Sequence, residues 1–141
     1  MMETELTEIQ NEIRKTFREF ADKRIRPQAA KLDEEKKFPL DLFLETGELG
    51  FFGMRYPEAE GGLGLDIVSY SLAVMEIARG SLSLAAACTM QSLMGTYFLY
   101  RFGNEKIKQE YFREALKGKK IGGICMTEPD AGSDLMGIKT M

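Results

Sequence analysis

The sequence contains no histidine among its 141 residues. Nucleophilic sites of the Ser-His-Asp and Cys-His kinds, zinc sites built on paired histidines and histidine-ligated haem all need an imidazole as base or ligand. The absence of histidine therefore excludes these sites from the chain. What remains is chemistry by carboxylate, lysine or tyrosine side chains, or chemistry supplied by a cofactor.

Cysteine is nearly as scarce, with Cys88 and Cys125 far apart in the chain. No CxxC pair exists to bind zinc or exchange disulfides. The first ten residues, MMETELTEIQ, show neither a basic segment followed by an apolar core nor an Arg- and Ser-rich transit pattern. We therefore expect reduced cysteines, no metal site and a cytoplasmic location.

Basic charge is not in excess, since 22 acidic and 19 basic residues give a net charge of -3. This balance argues against a nucleic-acid partner and provides no polybasic membrane anchor. With 44% hydrophobic and 29% charged residues, the chain can form a core and a solvated surface. Its length fits one domain, or one domain and part of another, because domains typically have about 100–150 residues.

The first predicted helix carries apolar residues at spacings of three and four. These residues are Leu6, Ile9, Ile13, Phe17 and Phe20. Thr7 followed by Gln10 fits a capping box at its start. Pro27 predicts an end or a kink, because its ring clashes with the preceding turn.

Further helices follow from capping residues and glycines. Leu40 begins a short helix that ends by Gly47 or Gly50, and Asp66 caps a helix that ends at Gly80. The intervening glycine-rich stretch, ending in GGLG, predicts a shaped loop. It does not match a dinucleotide-binding fingerprint, because no strand precedes it and the third glycine is missing.

The last predicted helix begins after Asn104 and ends at Gly118. Its expected inward residues are Ile107, Tyr111, Phe112 and Leu116.

Residues 80–100 carry no charged side chain. A stretch of this length is compatible with one membrane span, or with a helix buried on nearly all sides at the centre of a bundle. Several Ser, Thr, Gln and Gly residues, and the absence of a flanking basic cluster, favour the buried helix.

The pattern changes after Gly118. Residues 121–127 form a short apolar run without helical period, followed by the turn-rich segment 128–134, EPDAGSD. We expect a strand and then a loop. Because one strand cannot satisfy its own ladder of hydrogen bonds, the sequence predicts the opening of a second, β-containing domain that the chain truncates.

Composition alone leaves three interpretations of the EPDAGSD loop open. It is a surface turn, a cation site built from Glu128, Asp130 and Asp134, or a ligand loop. In the third case Gly132 lets the backbone approach a ligand, and Ser133 offers a hydroxyl and an amide to a phosphate. The nearby carboxylates oppose phosphate binding unless they point away.

Residues 125–134, CMTEPDAGSD, followed by GIKT at 137–140, closely resemble the flavin-contacting signature of the acyl-CoA dehydrogenase family. The resemblance extends over essentially the whole chain. It implies an all-α, up-and-down helical bundle over residues 1–120, the family's N-terminal domain. Residues 121–141 then begin the middle β-domain, with the first strand of its barrel.

The resemblance also implies site residues. The expected FAD contacts are Ile124, Cys125, Met126, Thr127, Gly132 and Ser133. Thr127 and the backbone at Met126 would hydrogen-bond the polar edge of the flavin, and Ser133 would contact the CoA portion of the substrate. Met90, Leu93 and Met94 are candidate residues of the acyl-pocket wall.

The family reaction is α,β-dehydrogenation of an acyl-CoA in fatty acid metabolism, with electrons passed to an electron-transfer flavoprotein. Relatives place the catalytic glutamate in a C-terminal helical domain, so we assign no catalytic residue here and expect this portion alone to be inactive. A homotetramer or dimer is expected of the full-length protein. The alternative is a non-enzymatic helical module that binds an acyl chain or CoA, or that pairs with another subunit.

Two positions depart from the family pattern. Ile107 stands where relatives commonly have glutamine, and Gln91 stands where many have histidine.

Overall fold

Residues 5–140 are described by a computed structural model of the chain. Residues 1–4 and 141, which the predicted domain ranges include, lie outside the described residues. The described chain is mainly helical, which confirms the predicted all-α fold. Helix α4 (Ile67–Gly80) packs against both α1 (Glu8–Phe20) and α5 (Leu82–Met90).

The first helix runs from α1 through a π-helical turn, Ala21–Ile25, into α2 (Arg26–Glu34). The predicted capping box is confirmed: Thr7 Oγ1 accepts from Gln10 N, and Gln10 Oε1 accepts from Thr7 N. Pro27 lies in the first turn of α2 and does not end the helix. The irregularity it imposes takes the form of the wider π turn before it, which makes room for the ring.

The prediction is wrong for one residue of the apolar stripe, because Ile9 is 60% exposed. Gln10 is buried beside it instead, since its amide donates to Asp66 Oδ2 at 3.0 Å. Phe17 and Phe20 lie in the core as predicted.

After α3 (Leu40–Glu48), the chain makes two short 3-10 turns, Phe51–Gly53 and Glu58–Glu60, and enters α4. The predicted N-cap is confirmed, because Asp66 Oδ1 accepts from Ser69 N at 2.7 Å. The core is formed by α1, α3, the loop that follows α3, α4 and α5. Its largest fully buried side chains include Phe17, Phe43, Phe51, Phe52, Ile25, Met54, Ile77 and Leu84.

Helix α5 continues through a second π-helical turn, Gln91–Gly95, into α6 (Tyr97–Phe102). The prediction of burial on nearly all sides is wrong. Leu82, Met90 and Phe98 are 75%, 48% and 49% exposed, so one side of this rod faces solvent. Among residues 5–140, no helix has the length and apolar character that a membrane crossing requires.

The last helical rod consists of α7 (Glu105–Ile107), a π-helical turn, Lys108–Phe112, and α8 (Arg113–Leu116). Asn104 caps it, and Gly118 ends it with φ +75°. Phe112 and Leu116 are buried, but Ile107 and Tyr111, also predicted to face inward, are 37% and 41% exposed. Ile107 lies before the π turn and Tyr111 within it, whereas Leu116 after the turn keeps its predicted inward position.

The strand expected over residues 121–127 is not formed in the described chain. An isolated antiparallel bridge between Glu128 and Ala131 follows it. A strand needs a partner strand for its backbone hydrogen bonds, and residues 5–140 supply none. The strand and the domain boundary at 120 remain predictions.

Candidate functional site

The six predicted FAD contacts lie together in the segment after the last helix. Ile124 is half-buried, whereas Cys125, Met126, Thr127, Gly132 and Ser133 are exposed. The segment thus presents its side chains and backbone to solvent, where a ligand can reach them.

Glu128 organises the loop that closes this segment. Its carboxylate accepts from Lys139 N at 2.9 Å, from Thr140 N at 3.1 Å and from the Thr140 hydroxyl. The Lys139 backbone N–H, followed by the Thr140 hydroxyl and N–H, lowers the pKa of this carboxyl below its ordinary value. Glu128 therefore stays ionised and fully engaged, which suits a structural role and not that of a proton acceptor.

The carboxylates of the loop do not converge on a cation. Asp130 pairs with Lys139 Nζ at 3.2 Å, and Asp134 Oδ1 accepts from Met136 N at 3.1 Å. Within residues 5–140, no three His, Cys, Asp or Glu side chains lie close enough to hold a metal ion. The carboxylates are bound within the loop, so the main objection to a negatively charged ligand at Gly132 and Ser133 is weakened.

The segment carries hydrogen-bond donors that have no partner in the described part of the chain. Among the described residues, the backbone N–H groups of Met126 and Thr127 and the Thr127 hydroxyl make no hydrogen bond. Nothing in the described chain lies within 4 Å of a Cβ built on Gly132. Free donors beside open backbone match a ligand whose rim carries oxygen and nitrogen acceptors.

Gln91 lies at the base of the segment and is 1% exposed. Its Nε2 donates to the carbonyls of Ala115 and Lys120, both at 2.9 Å, and its Oε1 accepts from Gly122 N at 2.8 Å. The sequence indicated this residue as a departure from the family pattern and did not predict it as part of the site. A buried amide in an otherwise apolar stretch was the available signal.

Behind Gln91 lies a network of buried hydroxyl groups. The Tyr56 hydroxyl donates to Ser92 O at 3.0 Å and lies 2.7 Å from Thr96 Oγ1, while the Tyr70 hydroxyl lies 2.5 Å from Ser92 Oγ. Burial raises the pKa of both tyrosines above the ordinary value. Both phenols therefore stay neutral and hold the π-helical turn in place.

The candidate acyl-wall residues lie on the solvent side of the α5–α6 rod. Met90 and Leu93 are exposed, and Met94 is half-buried. Tyr97 and Phe98 continue this apolar surface, with ring centroids 6.0 Å apart. The surface is suited to contact with an apolar chain or another apolar surface.

The two cysteines differ in accessibility. Cys88 is buried, and burial raises the pKa of its thiol to about 12, so it stays protonated. Cys125 is a free thiol in the exposed segment.

The chain is similar to acyl-CoA dehydrogenases in sequence and structure. The family model of the acyl-CoA dehydrogenase N-terminal domain matches residues 7–119. Benzylmalonyl-CoA dehydrogenase of Aromatoleum aromaticum is 58% identical over 139 residues, which cover 99% of this chain and 37% of that protein.

Two solved structures show the same likeness. Butyryl-CoA dehydrogenase from Megasphaera elsdenii has a TM-score of 0.88 and 30% identity, covering 99% of this chain and 37% of its own. A glutaryl-CoA dehydrogenase from Mycobacterium smegmatis in complex with FADH2 has a TM-score of 0.88 and 33% identity, covering 96% and 35%. The chain therefore spans little more than a third of the length of these relatives.

Proposed function

Since this chain belongs to the acyl-CoA dehydrogenase family, we propose that it forms the N-terminal portion of an FAD-dependent enzyme that dehydrogenates an acyl-CoA thioester between Cα and Cβ. The observation that carries the proposal is the exposed segment 124–133. It combines the family signature with free hydrogen-bond donors at Met126 and Thr127.

FAD would supply the redox chemistry by accepting a hydride from the substrate Cβ. The Met126 N–H, the Thr127 N–H and the Thr127 hydroxyl bind and orient the polar edge of the ring. Donors at that edge would also stabilise the negative charge that develops there when FAD is reduced. Ser133 contacts the CoA portion of the substrate, and Gly132 lets the backbone approach it.

These residues bind and orient, and we assign no proton-abstracting base among them. Glu128 lies beside the segment, but three donors hold its carboxylate in the ionised, loop-ordering state. We propose that the base is supplied by a part of the fold that this chain does not include. A chain limited to these residues is then inactive by itself.

The remaining assignments concern the electron acceptor, the assembly and the location. We propose an electron-transfer flavoprotein as electron acceptor, a homotetramer or dimer as the assembled enzyme, and the cytoplasm as its location. The apolar surface at Met90, Leu93 and Met94 forms one wall of the acyl pocket.

The cofactor contact is tested by titrating FAD into the polypeptide as its source organism produces it. Replacing Thr127 by valine keeps the shape of the side chain and removes the hydroxyl donor. We expect FAD affinity to fall by about tenfold, since a hydrogen bond lost to a polar ligand group costs about 1.4 kcal/mol or more. Ser71→Ala removes an exposed hydroxyl that bonds within α4, so it serves as the control.

Equal FAD affinity for Thr127→Val and the unsubstituted protein would contradict the assigned contact. Substrate tests use an acyl-CoA panel of butyryl-CoA, glutaryl-CoA and benzylmalonyl-CoA, the compounds named for the relatives above.

The alternative is a binding module without redox activity. The exposed apolar surface at Met90 and Leu93 favours it, because such a surface can hold an acyl chain without a cofactor. Protein that binds acyl-CoA and stays colourless when FAD is added would favour this alternative.

A further inference from the structure

We propose that Gln91 is a positioning residue for the flavin-contacting segment, an inference that rests on the proposed function. Its side-chain amide fixes the backbone that enters the segment, while its own backbone belongs to the rod that carries the acyl-wall candidates. One residue thus sets the segment and the rod relative to each other.

The hydrogen bonds of Gln91 span a long stretch of sequence. They reach Ala115, Lys120 and Gly122, which are 24, 29 and 31 residues away along the chain. The same amide uses both donor hydrogens and its acceptor oxygen, and the side chain is fully buried. Loss of the bond to the Ala115 carbonyl is costly, because that bond is buried and the freed carbonyl stays desolvated.

The backbone of the segment also packs directly against the backbone of the π-helical turn. A Cβ built on Gly122 would lie 2.5 Å from Gly95 Cα, and a Cβ built on Gly95 would lie 2.9 Å from Gly122 Cα. The two glycines therefore allow the segment to lie directly against the π-helical turn Gln91–Gly95. This close packing keeps Gly122 N within reach of Gln91 Oε1.

The residues held by Gln91 directly precede the predicted FAD contacts. Gly122 is bonded to Gln91, Gly123 has open space around it, and Ile124 is the first predicted contact. Among the described residues, the stretch from Gly123 to Thr127 makes no backbone hydrogen bond. Its position therefore depends on its anchored start, and an unanchored segment would have to be ordered when FAD binds.

The test replaces Gln91 by methionine, which keeps the volume and removes all three hydrogen bonds. The matched control is Thr46→Val, because Thr46 is also fully buried but donates to Leu42 O of its own helix. Two quantities are measured on the polypeptide as its source organism produces it. They are the dissociation constant for FAD and the hydrogen exchange of the Gly122 amide relative to Ile77, which is buried in α4.

We expect Gln91→Met to weaken FAD binding by about tenfold, which corresponds to about 1.4 kcal/mol. Exchange at Gly122 should accelerate at least as much, while exchange at Ile77 and both values for Thr46→Val stay within about twofold. If Gln91→Met lowers protection throughout the protein, Gln91→Asn is used. It keeps the amide but is one methylene too short to reach all three partners.

Unchanged FAD affinity and unchanged Gly122 exchange in a folded Gln91 variant would overturn the inference. Failure of the proposed function looks different, because the unsubstituted protein then binds no FAD. The Gly122 exchange still reports in that case whether Gln91 fixes the segment.

Discussion

At the scale of single residues, two buried polar side chains join parts of the chain that are far apart in sequence. Gln91 bonds three backbone groups, and Glu76 lies 5% exposed among three arginines. The sequence shows neither arrangement, because the partners lie many positions away and composition does not reveal which charges meet. By contrast, the proposed flavin contacts form a contiguous signature, so the sequence alone can indicate them by resemblance to the family.

The ion cluster at Glu76 leads to a prediction about stability. Burial by itself would raise the pKa of Glu76, but hydrogen bonds from Arg18, Arg79 and Arg14 outweigh burial and lower it. Its contribution to stability is therefore fully present above the ordinary pKa of 4.5 and is lost as the pH falls toward the lower pKa of the folded state. Glu76→Gln should cost about 2 kcal/mol at pH 7, because charge-assisted hydrogen bonds are lost but the three arginines stay partly solvated.

The cost is measured by urea unfolding between pH 7 and pH 3, where the difference between Glu76→Gln and the unsubstituted protein should shrink. The control is Glu45→Gln, which breaks the more exposed pair with Arg24 and should cost less than about 1 kcal/mol. A Glu76→Gln effect equal to the control effect at pH 7 would refute the importance of the buried cluster.

At the scale of elements, capping residues predicted helix ends well, and periodicity predicted helix faces less well. Thr7, Asp66 and Asn104 all cap as their sequence context indicates. The faces are harder because the described chain contains π-helical turns, in which the regular 3.6-residue period does not hold. Tyr111, which lies within the turn Lys108–Phe112, is exposed although periodicity predicted it to face inward.

The cap at Asp66 joins two elements and gives a prediction at this scale. Asp66 caps α4 through Ser69 N and also accepts from the Gln10 amide of α1. Asp66→Ala should lower the free energy of unfolding by about 2 kcal/mol, because both a cap and an inter-helix hydrogen bond are lost. Ser71→Ala, on the same helix, should change it by less than about 0.5 kcal/mol.

Thermal unfolding followed by circular dichroism measures both variants. Equal melting temperatures for Asp66→Ala and Ser71→Ala would show that the cap does not stabilise the packing of α1 on α4.

At the scale of the whole molecule, the described chain is mainly helical, and both of its proposed binding surfaces are exposed. The rod α5–α6 exposes Met90 and Phe98, and the segment 124–133 exposes its donors. The absence of charge over residues 80–100 suggested burial on nearly all sides, but composition cannot tell a helix covered by its own domain from one with an open apolar side. The family resemblance, and not composition, indicated Met90, Leu93 and Met94 as candidate residues of an acyl-pocket wall, which stays a prediction.

Reduction of the bound flavin by substrate tests the central proposal most directly. The polypeptide as its source organism produces it is loaded with FAD and mixed without oxygen with the acyl-CoA panel, while the flavin absorption band near ~450 nm is followed. The proposed acyl-CoA dehydrogenase function predicts that at least one acyl-CoA bleaches the band. A flavin that dithionite reduces but that every acyl-CoA leaves oxidised would contradict it.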